Sequence, residues 1–334
     1  MSLSAWWQGA RYHFVSSSFL AATVGSAVAL GLEGRFDAVN HLLVLAALVI
    51  NHVALNLTDD YFDYRHAIDE TDPAWRSAYS GGSGVLTGGL LSPRSVRRAF
   101  ALGYVITALI GITLAWRVGP WVLAFLGVGL FSSIFYTAPP VRFGYRGVGE
   151  VVMLLNFGPV IGLGTFFVQA GRVTFPALWG TLPLGVLIFS LICLNEIPDF
   201  AEDRRGGKRN LVARYGQRAG AVLYVAGLAV TYLIIAVGVG MRWMPPGCGW
   251  AFLTVPLAVR SSRAALRHRE APDRVVFAQV DIVRIHNIVA ILLALAYCFA
   301  KTGAGGPPGA VPVILGAMAI LYLPVAVKMA RAGR

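Results

Sequence analysis

The chain has 334 residues, of which 57% are hydrophobic and 13% charged, and its net charge is +12. A soluble globule carries about a quarter charged residues, and a disordered segment is less hydrophobic still. Both are excluded, and the mean hydropathy of +0.66 points to helices apolar on every side. The basic residues form no arm or run that would bind nucleic acid, and three cysteines make no disulfide framework.

Apolar runs long enough to cross a bilayer lie at about 14–32, 40–57, 98–116, 119–138, 149–170, 176–198, 217–240, 245–260, 283–301 and 310–328. They predict ten helices in an all-α integral membrane protein. No small-residue cleavage site precedes the first run, so that span is expected to be retained. Longer polar connections at about 58–97, 139–148, 199–216 and 261–282 follow the second, fourth, sixth and eighth runs, which puts all four on one side. With the N-terminus inside, that side holds 23 of the 28 basic residues, as the positive-inside rule requires. Both termini are therefore expected in the cytoplasm, with the protein in a bacterial inner membrane.

Fourteen of the 16 acids fall on the same side, and ten of them crowd into two stretches. The first runs Asn56-Leu-Thr-Asp59-Asp60-Tyr61-Phe62-Asp63-Tyr64-Arg65-His66, with Asp69, Glu70 and Asp72 beyond it. If the second span continues as helix, Asn56, Asp59 or Asp60, and Asp63 share a face. The second stretch runs Asn195-Glu196-Ile197-Pro198-Asp199-Phe200-Ala201-Glu202-Asp203, with Asp199 and Asp203 four residues apart. Carboxylates this close repel unless a cation joins them. Two such helix ends on one membrane face suit Mg²⁺, which takes one or two carboxylates and the phosphate oxygens of a substrate. Lys208 and Arg209, with Arg142 and Arg146 from the neighbouring connection, would clamp a diphosphate directly. Acids beside bases in an apolar cavity imply a lipid-soluble diphosphate.

These stretches resemble the UbiA superfamily of intramembrane prenyltransferases, whose motifs are Asn-Asp-x-x-Asp with a further Asp, and Asp-x-x-x-Asp before a basic stretch. The likeness is nearest to the naphthoate branch in Asp60-Tyr-Phe-Asp63-Tyr with Asp69, in the glycine-rich segment 81–93, and in Phe135-Tyr136-Thr-Ala-Pro-Pro-Val-Arg142 followed by Tyr145-Arg-Gly-Val-Gly-Glu150. Asp59 stands where the family has Asn, and Asn195-Glu-Ile-Pro-Asp199 replaces the branch's Asn-Asn-x-Arg-Asp.

The resemblance implies a UbiA-type bundle of nine transmembrane helices over residues 1–301, and the run at 310–328 then reads as a peripheral tenth helix with a basic tail, without a site, over 302–334. It implies Mg²⁺-dependent transfer of an isoprenoid chain from an allylic diphosphate to a lipophilic aromatic acceptor such as 1,4-dihydroxy-2-naphthoate. The alternative is a terpene cyclase that ionises the diphosphate without an acceptor. Asp59, Asp60, Asp63, Asp199 and Asp203 would hold metal, and Asn56 and Asn195 would orient those ligands or the diphosphate. Tyr136, Arg142, Arg146, Lys208 and Arg209 would hold the diphosphate, and Asp69 is the candidate proton acceptor. Tyr61, Phe62, Tyr64, Phe135 and Tyr136 would offer π-faces to the carbocation. Gly81 to Gly89 read as an inner loop over the site, Gly158-x-x-x-Gly162 as close helix packing, and His52, one turn before Asn56, as a satisfied buried histidine.

Overall fold

A computed structural model describes residues 2–66, 82–300, 307 and 309–332. In chain order the helices are α1 (Leu3–Gly9), α2 (Tyr12–Glu33), α3 (Ala38–Arg65), α4 (Pro93–Val118), α5 (Val122–Ile134), α6 (Gly149–Leu155) and α7 (Gly164–Ala170). There follow α8 (Phe175–Asn195), α9 (Phe200–Arg205), α10 (Leu211–Tyr215), α11 (Gln217–Gly240), α12 (Val255–His268), α13 (Pro272–Cys298) and α14 (Ala310–Ala332). The starts of α3, α4 and α8 are written in side chains. Asp37, Ser92 and Thr174 accept from the backbone N–H of Asn40, Ser95 and Ala177 at 2.8, 3.2 and 3.3 Å.

Among the described residues, seven helical stretches are long and apolar enough to cross a membrane: α2, α3, α4, Gly149–Ala170, α8, α11 and α13. The apolar runs at 119–138 and 310–328 yield shorter apolar helices, Val122–Ile134 and Ala310–Ala326. The run at 245–260 is not one helix, because Pro245, Pro246 and Pro256 remove backbone donors. It forms a 3₁₀ segment, Pro246–Thr254, that hands over to α12. On α4, Leu102, Val105, Leu109, Ile112 and Trp116 recur every three or four residues and are each more than half exposed. So long an apolar stripe is at home against lipid, and the protein is an integral membrane protein.

α2 is the central post of the bundle. Val15, Phe19, Leu20, Ala22, Val24, Ala27 and Val28 have no exposure at all. Its small residues allow close approach, since a Cβ on Gly31 would lie 2.7 Å from the Tyr297 carbonyl oxygen of α13. Gly158 and Gly162 pack closely on α8, as their spacing predicts: a Cβ on Gly162 would stand 2.6 Å from Thr181 Cβ. Gly162→Val is therefore expected to cost about 1–3 kcal/mol, seen as a lowered melting temperature in detergent. An unchanged melting temperature would refute this packing.

The run at 149–170 crosses as one rod with a changed middle. Pro159 cannot donate, and Asn156–Leu163 widens into a π-helical segment between α6 and α7. Asn156 steadies its start by donating through Nδ2 to the Val152 carbonyl at 2.8 Å and accepting from Ser132 Oγ at 2.8 Å.

Candidate active site

α3 does continue past its apolar run to Arg65, so the first acidic motif is helical. The helix splits the motif between two directions. Asn56, Asp59 and Asp63 line a cavity of about 1330 Å³, including its open mouth. Asp60 is not on that wall. Its Oδ1 takes Arg11 Nη2 at 2.6 Å and the Ser83 backbone N–H at 2.9 Å, and its Oδ2 accepts from Ser83 Oγ. Arg11, read in the sequence only as a topological charge, also stands 3.6 Å from Asp59 Oδ2. The described part of the glycine-rich loop is thus pinned to α3 by Ser83. Asp69, Glu70, Asp72 and Gly81 lie outside the described residues.

α8 ends at Asn195 because Pro198 cannot continue it, and α9 restarts after Asp199. Asn195, Glu196, Asp199 and Asp203 line the same cavity as the first motif. Lys208 joins the two. Its Nζ lies 2.8 Å from Asp63 Oδ2 and 3.5 Å from Asp203 Oδ1, and 5.3 Å from the centre of the Tyr145 ring. Tyr145 donates its hydroxyl to the other oxygen of Asp63 at 2.5 Å, and Asn210 Nδ2 donates to Asp203 Oδ2 at 2.6 Å. Burial works against the Lys208 ammonium, but the charges of Asp63, Asp203 and Asp59 outweigh it and hold its pKa well above the ordinary lysine range. Burial and the Asp63 charge raise the Tyr145 phenol, so it stays a donor. Burial also raises the Asp203 carboxyl, against the pull of Lys208.

The loop that carries Tyr145 is stitched to the loop that carries Lys208. Arg209 donates its backbone N–H to the Tyr145 carbonyl at 3.0 Å, and Arg214 Nη2 donates to the Arg146 carbonyl at 2.6 Å. Arg142 pairs with His66 Nε2 and lies 5.4 Å from the Tyr145 ring centre, while Arg146 Nη2 donates to the Pro140 carbonyl at 2.9 Å. Arg209 is exposed. Arg142, Arg146 and Arg209 are not on the cavity wall, whereas Tyr136 is. Of the predicted π-faces, Tyr61 and Phe62 pack on each other, Phe135 packs on Phe131, and Tyr64 is exposed. His52 bonds Ser18 Oγ at 2.6 Å and Asn56 donates to the Ala10 carbonyl at 2.8 Å, so each is satisfied separately.

A second, mostly apolar cavity of about 950 Å³ adjoins the first, and His52, Leu55, Met153 and Phe157 line both. Its walls come from α3, α4, α5 and the π-helical segment, with Leu114, Phe125, Leu126 and Val160 among them. The first cavity is thus charged and its neighbour across the shared wall apolar.

Among the described residues no three His, Cys, Asp or Glu side chains form a ready-made metal cage. The donors nevertheless fit a hard divalent cation, because they are oxygens from two helix ends and Asp63 and Asp203 already converge on one positive charge. The buried Oε2 of Glu196, on the same wall, has no hydrogen-bond donor.

Over residues 18–280 the chain matches the UbiA prenyltransferase family. It is 26% identical over 283 residues to the 2-carboxy-1,4-naphthoquinone phytyltransferase of Synechocystis sp., covering 84% of this chain and 89% of that protein. It is 25% identical over 294 residues to the 1,4-dihydroxy-2-naphthoate octaprenyltransferase of Bacillus subtilis, covering 86% and 90% respectively. A solved UbiA homolog from Archaeoglobus fulgidus bound to DMAPP and Mg²⁺ shares the fold, with a TM-score of 0.56 at 13% identity over 88% of this chain and 98% of that one.

Proposed function

The chain belongs to the UbiA prenyltransferase family, and on that premise we propose that it transfers an isoprenoid chain from an allylic diphosphate to an aromatic acceptor of the 1,4-dihydroxy-2-naphthoate kind. The observation that carries this reading is Lys208, whose ammonium joins the acids of α3 and α9 in a cavity that shares a wall with an apolar lobe. The names of the Synechocystis and Bacillus relatives support a naphthoate-type acceptor.

Asp59, Asp63, Asp199 and Asp203 would hold Mg²⁺, as the Archaeoglobus relative's bound Mg²⁺ suggests. When bound, Mg²⁺ neutralises diphosphate oxygens and lowers the cost of ionising the allylic C–O bond. Lys208 meets the charge that grows on the departing diphosphate, held in place beforehand by Asp63 and Asp203, while the Tyr145 hydroxyl, donating to Asp63, fixes that carboxylate. Asn56 and Asn195 orient these groups, and Asp60 fixes Arg11 and the glycine-rich loop at the rim. The hydrocarbon tail lies in the apolar lobe. Phe157 and Met153, shared by both cavities, exclude water where the cation forms, and the Phe157 ring offers it a π-face. The acceptor's ring carbon then bonds to the allylic carbon, whose C–O bond to the diphosphate has broken, and the ring carbon gives up its proton to restore aromaticity, with Asp69 as the candidate acceptor of that proton. The positive-inside charge pattern opens the site to the cytoplasm with both termini on that side, and among the described residues α14 lines neither cavity.

Purified protein in detergent, given geranylgeranyl diphosphate, 1,4-dihydroxy-2-naphthoate and Mg²⁺, is expected to form a prenylated naphthalene detectable by mass spectrometry. EDTA should abolish the product and added Mg²⁺ restore it. No product with any of several chain lengths would overturn the reading.

A further inference from the structure

A second polar patch reaches the cavity that neither the diphosphate nor its cation uses. It comes from α2, through His13, Ser16 and Ser17, and from α13, through His286 and Asn287. His286 is 1% exposed. Its Nδ1 faces Asn287 Oδ1 at 3.3 Å, and that oxygen also accepts from Ser16 Oγ at 3.3 Å. An amide oxygen only accepts, so the ring proton sits on Nδ1 and Nε2 presents a bare lone pair. Nε2 is buried and meets no donor in the protein. A buried acceptor left without a donor destabilises the fold, and such groups in native proteins call for an explanation.

The substrates narrow what can satisfy it. An ionised diphosphate only accepts hydrogen bonds, and an isoprenoid tail neither donates nor accepts. Of the groups that the reaction brings into the cavity, only the hydroxyls of the aromatic acceptor donate. The surrounding wall, with Phe14, Leu191 and Val283, is apolar enough to cover a ring. We propose that His286 Nε2 accepts a hydrogen bond from a hydroxyl of the aromatic acceptor, so that the α2–α13 patch is the acceptor's subsite and selects hydroxylated rings. This rests on the transferase reading above. Ser16 and Asn287 are positioning residues that hold the imidazole in the accepting tautomer.

The test measures KM for both substrates in the unsubstituted protein, His286→Leu and His286→Gln, with size-exclusion profiles to confirm folding. Leucine is expected to raise the acceptor KM roughly tenfold or more while leaving the prenyl diphosphate KM within about twofold. Glutamine, whose Oε1 restores an acceptor near the Nε2 position, should recover most of the loss. In the unsubstituted protein, which needs no variant to fold, 1,4-dimethoxy-2-naphthoate should inhibit roughly tenfold more weakly than a dihydroxy inhibitor that is not turned over. An unchanged acceptor KM in His286→Leu, an equal rise for both substrates, or equal inhibition by the two ring types would overturn the proposal while prenyl transfer itself stands. No transfer by the unsubstituted protein would overturn both.

Discussion

Asp63→Asn is expected to lower kcat/KM for the prenyl diphosphate by about 10²–10³-fold, the usual cost of removing one preorganised charge-stabilising group. Asp63 holds Lys208 and is itself fixed by Tyr145, so the neutral amide loosens the Lys208 contact to the diphosphate and removes a metal oxygen. Lys208→Ala should fail by the same route, because it removes the ammonium that Asp63 and Asp203 hold for the diphosphate. Asp60→Ala should behave differently. Asp60 is 3% exposed, pairs with Arg11 at 2.6 Å and accepts from Ser83, so its loss removes these charge-assisted ties of α3 at a cost of about 2 kcal/mol. The expected signature is a lowered melting temperature with activity reduced less than in Asp63→Asn. If Asp63→Asn kept normal kcat/KM, Asp63 would not belong to the diphosphate machinery.

Gly129→Phe is expected to shorten the chains the protein accepts. Gly129 lines the apolar lobe, and a Cβ there would meet only Val160 Cγ1 at 3.8 Å, so the added ring has room to enter the lobe rather than clash. The variant should raise KM for an octaprenyl diphosphate about tenfold or more while geranyl diphosphate is used normally, since lost apolar contacts and space penalise only the longer tail. Equal effects on both lengths would show that the tail lies elsewhere.

Much of this arrangement is legible in the chain itself. Apolar runs locate α2, α4, α8 and α11 within a few residues, because a lipid-facing or fully buried helix has no polar side to confuse the pattern. The spacing of Asp199, Asp203 and Lys208 predicts acids beside a base at one helix end, and there they stand. The π-helical segment is less legible, since Pro159 alone does not say whether a helix kinks, stops or widens. α13 starts well before the apolar run at 283 because Gln279 and Asp281 find partners in Asn195 and Arg260.

Partners distant in sequence are the least legible part of the site. Tyr145 bonds Asp63 across 82 positions, and Ser16 bonds Asn287 across 271. The direction of Asp60 is decided by Arg11 and Ser83, neither of which has a motif of its own. Helical spacing alone puts Asp59 or Asp60 equally on the Asn56–Asp63 face. The fold chooses Asp59 for the cavity, the position where this chain departs from the family's Asn.

The central claim is that ionisation of the diphosphate is coupled to an aromatic acceptor. The most direct measurement is diphosphate release by the purified protein with geranylgeranyl diphosphate and Mg²⁺, with and without 1,4-dihydroxy-2-naphthoate. Release that requires the naphthoate, and that disappears in Asp63→Asn, is the expected result. Equal release without any acceptor would contradict the account and mark a cyclase that quenches the cation within its own chain.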